Sequence, residues 1–353
     1  MSEAEQHTQG APVPAPTNAT PPAQASREPA SLGGTCAAFP QVRIIVDSCG
    51  DFDPEVARAL GVEVLSFTYV IDGVEYYDDL WQSMSAHEFY DQLRAGKQAT
   101  TAAVSAGRYY ELFERCATEG TPTIYLGLTR GLSSSIETAC EVAEVVRESH
   151  PGFELYALDN LCPSATAELL VIEVVRQAAA GLSAAQLVEF AREARYYVQG
   201  YFTLDNFDAL ARGGRIPPAA ASVGNMLNVK PELSYDLHGA LTLRGMCRGR
   251  KKALRAILAD FDANYEPNPS GEVLPIAIVS SDAPKDAEWV AEQVRKRPGC
   301  ADVPIIFSSV SPVIGSHTGP GMVGLGFWGK DRRDGASISE RIARAIRGSD
   351  KNS

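Results

Sequence analysis

One stretch limits what this chain can fold into. Residues 123–128 are an apolar run, 129–135 a small hydroxyl-rich loop, 136–148 carry helical spacing, and 153–158 are apolar again. Strand, loop, helix, strand is the pattern of a crossover connection, which lays two parallel strands in one sheet with a helix on its face. A chain with such a unit folds as an α/β protein rather than as a bundle or a sandwich.

The flanks extend the pattern. Val42 to Val46 suits a buried strand, residues 54–60 a short helix stopped by Gly61, and 62–71 a strand turned back by Asp72-Gly73 into 74–77. Ser85 and Glu88 form a capping box for a helix that ends at Gly96, and another helix covers 107–118. This gives a first α/β domain with a parallel sheet, residues 41–162. The second half begins with helices at 164–180 and from Ser183 to about Tyr197, then a strand at 201–204 and a tight turn at Arg212-Gly213-Gly214-Arg215-Ile216. A helix is expected at 217–227, strands at 229–235 and 240–244, and a basic helix at 250–264. Strands at 275–280, 303–307 and 322–328 around a helix at 286–297 complete a mixed sheet. Residues 163–330 read as a second α/β domain. Residues 1–40 hold seven of the 22 prolines and read as a disordered tail. Residues 331–353 read as a second tail, with Ile338, Ile342 and Ile346 at helical spacing.

Composition bears on partners. Asp and Glu outnumber Lys and Arg 44 to 32, a net charge of −12, which argues against a nucleic-acid binder. The chain has no apolar run of about 18 residues and no secretory leader pattern at its start. Seven scattered cysteines without a C-x-x-C pair, and five histidines with none at i, i+4, indicate neither a zinc site nor a disulfide scaffold, and fit a cytoplasmic protein with free thiols. No metal and no cofactor is expected. Gly319-Pro320-Gly321-Met322-Val323-Gly324 has the letters of a dinucleotide fingerprint, but an apolar, strand-like run follows it and the chain nearly ends there. There is no P-loop and no G-x-S-x-G elbow.

Three segments are unusual. Thr100 to Ser105 reads as a small-residue turn before a helix. Thr129 to Ser135 places three serines between a strand and a helix. Gly315-Ser316-His317-Thr318-Gly319-Pro320-Gly321 reads as a glycine-rich loop. In an open α/β sheet, ligands collect beyond the carboxyl ends of the strands, where helix N-termini favour anions. One serine suffices as a cap, so Ser135 caps while Ser133 faces outward. His317 is open to two readings, a structural histidine or a ligand contact. With Arg130 as the one cation in these loops, the set suits a carboxylate better than a polyphosphate.

The ordered set of motifs resembles the DegV family of fatty-acid-binding proteins. It comprises Ile45-Val46-Asp47-Ser48 with Asp51, Ile71-Asp72-Gly73, Thr101, Gly131-Leu132-Ser133, Gly213-Gly214-Arg215-Ile216, Asn228-Val229-Lys230-Pro231, Arg248-Gly249-Arg250-Lys251-Lys252-Ala253 and Ile314 to Gly321, over about 42–329. The resemblance implies a two-domain α/β fold with an enclosed acyl chain whose carboxylate meets Thr101, Ser133 and His317, the last as imidazole or imidazolium. Ala102-Ala103-Val104 departs from the family's Ser-Gln-Pro and removes polar groups near the head group. Enclosing about 15 methylenes at ~0.8 kcal/mol each gives roughly 12 kcal/mol gross, so the tail supplies affinity and the head group sets orientation.

The resemblance further implies a non-catalytic subunit. It would bind a long-chain fatty acid and present the carboxylate to a separate kinase of the dihydroxyacetone-kinase-like type, with transient membrane contact for lipid exchange. Residues 244–255 hold six basic residues and no acidic one. They are either a solvated helix face or a docking patch, with Arg248, Arg250 and Lys251 as its candidates, and Arg215 in the Gly-Gly-Arg turn is a second docking candidate. Two other functions fit the residues: an acyl hydrolase or transferase using Ser133 and His317, and a lipid carrier or sensor with no kinase.

Overall fold

The structure, a computed structural model, describes residues 41–216, 228–268 and 271–334. Among these, three sheets form. The first is four-stranded and parallel, in the order β2-β1-β6-β7, from β1 (Arg43–Asp47), β2 (Glu63–Leu65), β6 (Thr123–Gly127) and β7 (Leu155–Asp159). The 123–158 crossover is there as read, closed by α4 (Ser135–Ser149), whose buried Ile136, Ala139, Val142, Ala143 and Val146 recur at helical spacing.

The second sheet is six-stranded and mixed, in the order β10-β9-β8-β13-β11-β12. It uses β8 (Val198–Thr203), β9 (Val229–Tyr235), β10 (Leu241–Arg248), β11 (Ile276–Ser280), β12 (Ile305–Ser309) and β13 (Val323–Trp328). Only β11 and β12 run parallel; the other neighbours are antiparallel. The remaining helices are α1 (Pro54–Leu60), α2 (Ala86–Arg94), α3 (Ala106–Glu119), α5 (Ala165–Ala179), α6 (Ala184–Ala194), α7 (Asp208–Gly213), α8 (Arg250–Asn264), α9 (Pro284–Arg295) and α10 (Pro312–Thr318). Helix α5 packs on β8, β11 and β13. One core joins Ile44 and Leu126 of the first sheet to Leu169 and Val198 of the second half. The division into 41–162 and 163–330 is kept as a proposal; the two halves share this core.

Several expectations change. The run 62–71 is not one strand. It breaks at Ser66-Phe67 into β2 and β3 (Thr68–Ile71), and β3 joins a small antiparallel sheet, β4-β3-β5, with β4 (Val74–Tyr77) and β5 (Ala99–Ala102). The break is held by the Phe67 amide donating to the Ser48 hydroxyl at 3.1 Å. Thr100 and Thr101 are therefore strand residues, not a turn, paired with Val70 and Tyr69. The loop expected at 315–321 is largely helix α10, with Pro312 at its start and Ser311 capping the Ile314 amide. Arg212 and Gly213 end helix α7 instead of forming a free turn, and Gly214 takes the left-handed φ of 68° that closes it. Helix α6 stops at Ala194, before Tyr197, because Val198 already belongs to β8. The expected helix at 217–227, the tail 1–40 and residues 335–353 lie outside the described residues.

A buried carboxylate ties the halves together. Asp51 sits at φ 55° after β1, accepts the Ser311 amide at 2.8 Å, and is hydrogen-bonded by the Ser164 hydroxyl. It thereby links the first sheet to the entry of α5 and the cap of α10. Burial raises its pKa from 3.8 to about 7, against the lowering effect of these bonds. The folded state binds the extra proton between those values, so this group's contribution to stability falls as pH rises from 3.8 through about 7. Asp51→Ala strands two buried polar partners and should cost about 2–4 kcal/mol in urea unfolding. Asp51→Asn should flatten the fall in stability over that pH window; an unchanged pH profile would contradict the assignment.

Candidate functional site

The site lies where the two halves meet, above the carboxyl ends of β1 and β6. Asp47, buried at the end of β1, accepts the Leu128 amide at 2.6 Å and the Tyr125 hydroxyl at 3.1 Å, fixing the start of the serine loop. Burial holds Asp47 up at about 6. The loop is then clamped from outside. Arg130 pairs with Asp159 at 2.7 Å. Gly131 lies so close to the β9–β10 turn that a Cβ there would collide with the backbone of Gly239 and Ala240. That contact requires glycine.

The serines divide their work differently from the sequence expectation. The Ser133 hydroxyl accepts the Ser135 amide at 3.3 Å, while Ser134, at the N-cap of α4, makes no side-chain capping bond. Ser135 is buried, and its hydroxyl accepts the Val104 amide at 3.1 Å, stitching the loop to the segment after β5. The Ser133 hydroxyl can donate to Ser135, 3.0 Å away, or turn its proton toward the cavity.

Helix α10 packs against β5 and α7, and brings His317 to Thr101 across the interface, Oγ1 to Nε2 2.8 Å. The ring lies flush against α7: a Cβ on Gly213 would collide with Nδ1. Burial, and secondarily the charge of Arg215, lower the His317 pKa to about 4. With no ligand bound, the imidazole is neutral at pH 7. Nδ1 is buried without a partner among the described residues. A proton placed there would be stranded, so the favoured tautomer carries it on Nε2 and donates to Thr101. Thr101 is then free to donate its own proton outward.

Thr101, Ser133, Ser134, Arg215 and His317 line one cavity. Its remaining wall is mainly apolar or bare backbone, including Phe67, Leu128, Leu210, Val313, Ile314 and Met322 with Gly200, Gly324 and Gly326. All three sequence-chosen residues thus face one cavity. Arg215, chosen for partner docking, also lines this cavity: it is half-buried, and its Nε donates to the Leu132 carbonyl at 3.1 Å. Among the described residues no carboxylate forms an ion pair with it. Sequence reasoning missed this role and that of Gly213, although the Gly-Gly-Arg turn marked both. Arg250 is also not a free docking cation. It is locked to Asp286 at 2.7 Å and lies 3.9 Å from Asp205. Arg248 and Lys251 are exposed.

The family profile described as "Uncharacterised protein, DegV family" matches residues 41–330. The chain belongs to the DegV family. A DegV domain-containing protein of Clostridium perfringens is 30% identical over 286 residues, 81% of this chain and 97% of the relative. Among solved structures, a Thermus thermophilus DegV family protein, titled for its fatty acid binding, superposes with TM-score 0.69 at 24% identity, covering 82% of this chain and 100% of the other. The Streptococcus pneumoniae fatty acid kinase (Fak) B3 protein, loaded with linoleic acid, gives TM-score 0.70 at 20% identity with 82% and 100% coverage. These DegV neighbours share the fold, a parallel sheet followed by a mixed one. Among the described residues no helix is long and apolar enough to cross a membrane.

Gly213→Ala suits helix α7 but pushes the imidazole away from Thr101, so it should weaken binding of any ligand held there about tenfold while leaving thermal stability near wild type. In ligand-free protein, nitrogen-detected NMR titration should find His317 near pKa 4, moving upward in Arg215→Gln.

Proposed function

We propose that this protein binds a long-chain fatty acid in the apolar cavity and presents the carboxylate to a separate ATP-dependent kinase. The observation that carries the reading is the make-up of the cavity: a predominantly apolar wall, with the Thr101 and Ser133 hydroxyls, the His317 imidazole and the Arg215 guanidinium clustered together on it. Thr101 and Ser133 donate hydrogen bonds to the carboxylate, Arg215 balances its charge, and neutral His317 orients the Thr101 hydroxyl. Solved relatives titled for bound fatty acids, one of them a fatty acid kinase protein, support the same assignment.

In the transfer step, a carboxylate oxygen attacks the γ-phosphorus of ATP held by the partner. The bond to ADP breaks, and an acyl phosphate forms on the bound ligand. The chain's part is to fix the nucleophile and keep the tail out of water. Exposed Ala102 and Ala103 line the cavity, so small side chains stand beside Thr101. Exposed Arg248 and Lys251 offer a kinase cationic contacts on an otherwise acidic protein. A cytoplasmic location and brief membrane contact for lipid exchange belong to this proposal.

The hydrolase reading has weaker support. The hydrogen bond of His317 goes to Thr101 and that of Ser133 to Ser135, and among the described residues no carboxylate bonds Nδ1 of His317. A serine nucleophile needs its base in contact and that base oriented.

Native mass spectrometry of purified protein should show a co-purifying fatty acid, lost or reduced at least about tenfold in Thr101→Val/Ser133→Ala. Protein that remains empty and ignores added palmitate or oleate contradicts the reading. Ester turnover by the protein alone, abolished in Ser133→Ala, would favour the hydrolase. Lys251→Glu should weaken capture of a dihydroxyacetone-kinase-like partner without changing the bound lipid.

A further inference from the structure

We infer that Tyr235 is the stop at the far end of the acyl tunnel and sets the length of chain it accepts, with Arg332 holding the phenol ring in position. The inference rests on the fatty-acid reading above and goes beyond it by naming the residue that measures the ligand.

The tunnel wall can be followed along two paired strands. Gly326 of β13 lies opposite Gly200 of β8, and Gly324 opposite Phe202. A Cβ on Gly326 would meet Thr166, Ala165 and Leu169 of α5 at 3.3–3.4 Å, and one on Gly324 would meet Val279, Met322 and Phe202, so these glycines form a strip without side chains on which the start of α5 packs closely at Gly326. The head-group end is fixed by α7, which follows β8 and touches His317 through Gly213. Gly200 lies four residues upstream of Leu204, about 13 Å away along the strand at roughly 3.3 Å per residue. An acyl chain held at His317 would follow the cavity wall, which Thr318, Gly324, Gly326 and Gly200 all line.

There the bare strip ends. Tyr235, the last residue of β9, is 6% exposed, and its ring and hydroxyl fill the space above Gly200 beside Thr166. A side chain on Gly200 would collide with that hydroxyl. Behind the ring, the Arg332 guanidinium stacks at 4.7 Å from its centroid. The same guanidinium donates to the carbonyls of Tyr235 at 3.4 Å, Asp236 at 3.3 Å and Arg195 at 3.3 Å. Contacts on three carbonyls hold the cation, and the cation holds the ring.

The test compares the fatty acids extracted from wild type, Tyr235→Phe, Tyr235→Ala and Arg332→Gln, each expressed in full length and profiled by mass spectrometry. Tyr235→Phe keeps the ring and should keep the wild-type profile. Tyr235→Ala should shift the bound population upward by about two to four carbons, the space the ring leaves behind. Arg332→Gln should broaden the profile toward longer chains. If Tyr235→Ala does not fold, Tyr235→Leu, smaller but apolar, should show the same upward shift in lesser degree. Bound fatty acid of unchanged length in the alanine or leucine variant overturns the inference and leaves the binding function standing. Wild-type protein that takes up no fatty acid from a defined series of lengths overturns the binding function, and the inference with it.

Discussion

The site depends on one buried carboxylate. Asp51 receives the backbone amide that begins α10 and the hydroxyl that begins α5. Those two helix starts frame the cavity: α10 delivers His317, and the N-terminal turn of α5 roofs the glycine strip. A buried carboxyl with satisfied bonds is directional in a way that apolar packing is not, because its partners must arrive along its lone pairs. Burial makes the charged form costly, so Asp51 holds its proton to about pH 7. What it contributes is position: the two halves are registered on a single atom pair, and the cavity between them has defined walls.

The head-group end follows a different logic. Its neighbours are already hydrogen-bonded when no ligand is bound: Thr101 to His317, Ser133 to Ser135, Arg215 to Leu132. Each hydroxyl nonetheless retains a proton that can swing into the cavity, because each also has an acceptor role filled by a neighbour. A carboxylate arriving there meets donors already placed, so little ordering has to accompany binding. The low pKa of His317 belongs to this economy. A neutral ring beside a guanidinium leaves one cation for one carboxylate, rather than two cations that repel when the site is vacant.

Much of this was legible in the sequence because it was local. The 123–158 crossover shows itself in periodicity, and Thr101, Ser133 and His317 stood out as polar groups in small-residue settings. What was not legible depends on distant partners. Strand β5 has no apolar alternation; Thr100 and Thr101 are extended because β3 pairs with them. Helix α10 carries Gly315, which looks like a loop residue, but a Cβ there would collide with the Tyr90 hydroxyl, so the glycine serves close packing. Arg215 looked like a surface cation because its acceptor, the Leu132 carbonyl, lies 83 residues earlier in the chain. Arg250 has a counter-charge that the sequence did not show for the same reason, Asp286 being on another helix.

The glycine spacing in Val323-Gly324-Leu325-Gly326-Phe327 shows how one strand serves two faces. Val323, Leu325 and Phe327 point into the core beneath α8 and α9. Gly324 and Gly326 face the cavity side, where a Cβ on Gly326 would press on Thr166, Ala165 and Leu169 of α5 and one on Gly324 on Val279, Met322 and Phe202. Strand periodicity of two makes this division automatic: the apolar residues anchor the sheet and the glycines leave a trough. The letters that mimic a dinucleotide fingerprint, Gly319 to Gly324, are therefore two separate devices. Gly319 and Gly321 release the chain from α10 at positive φ, and Gly324 lines the cavity.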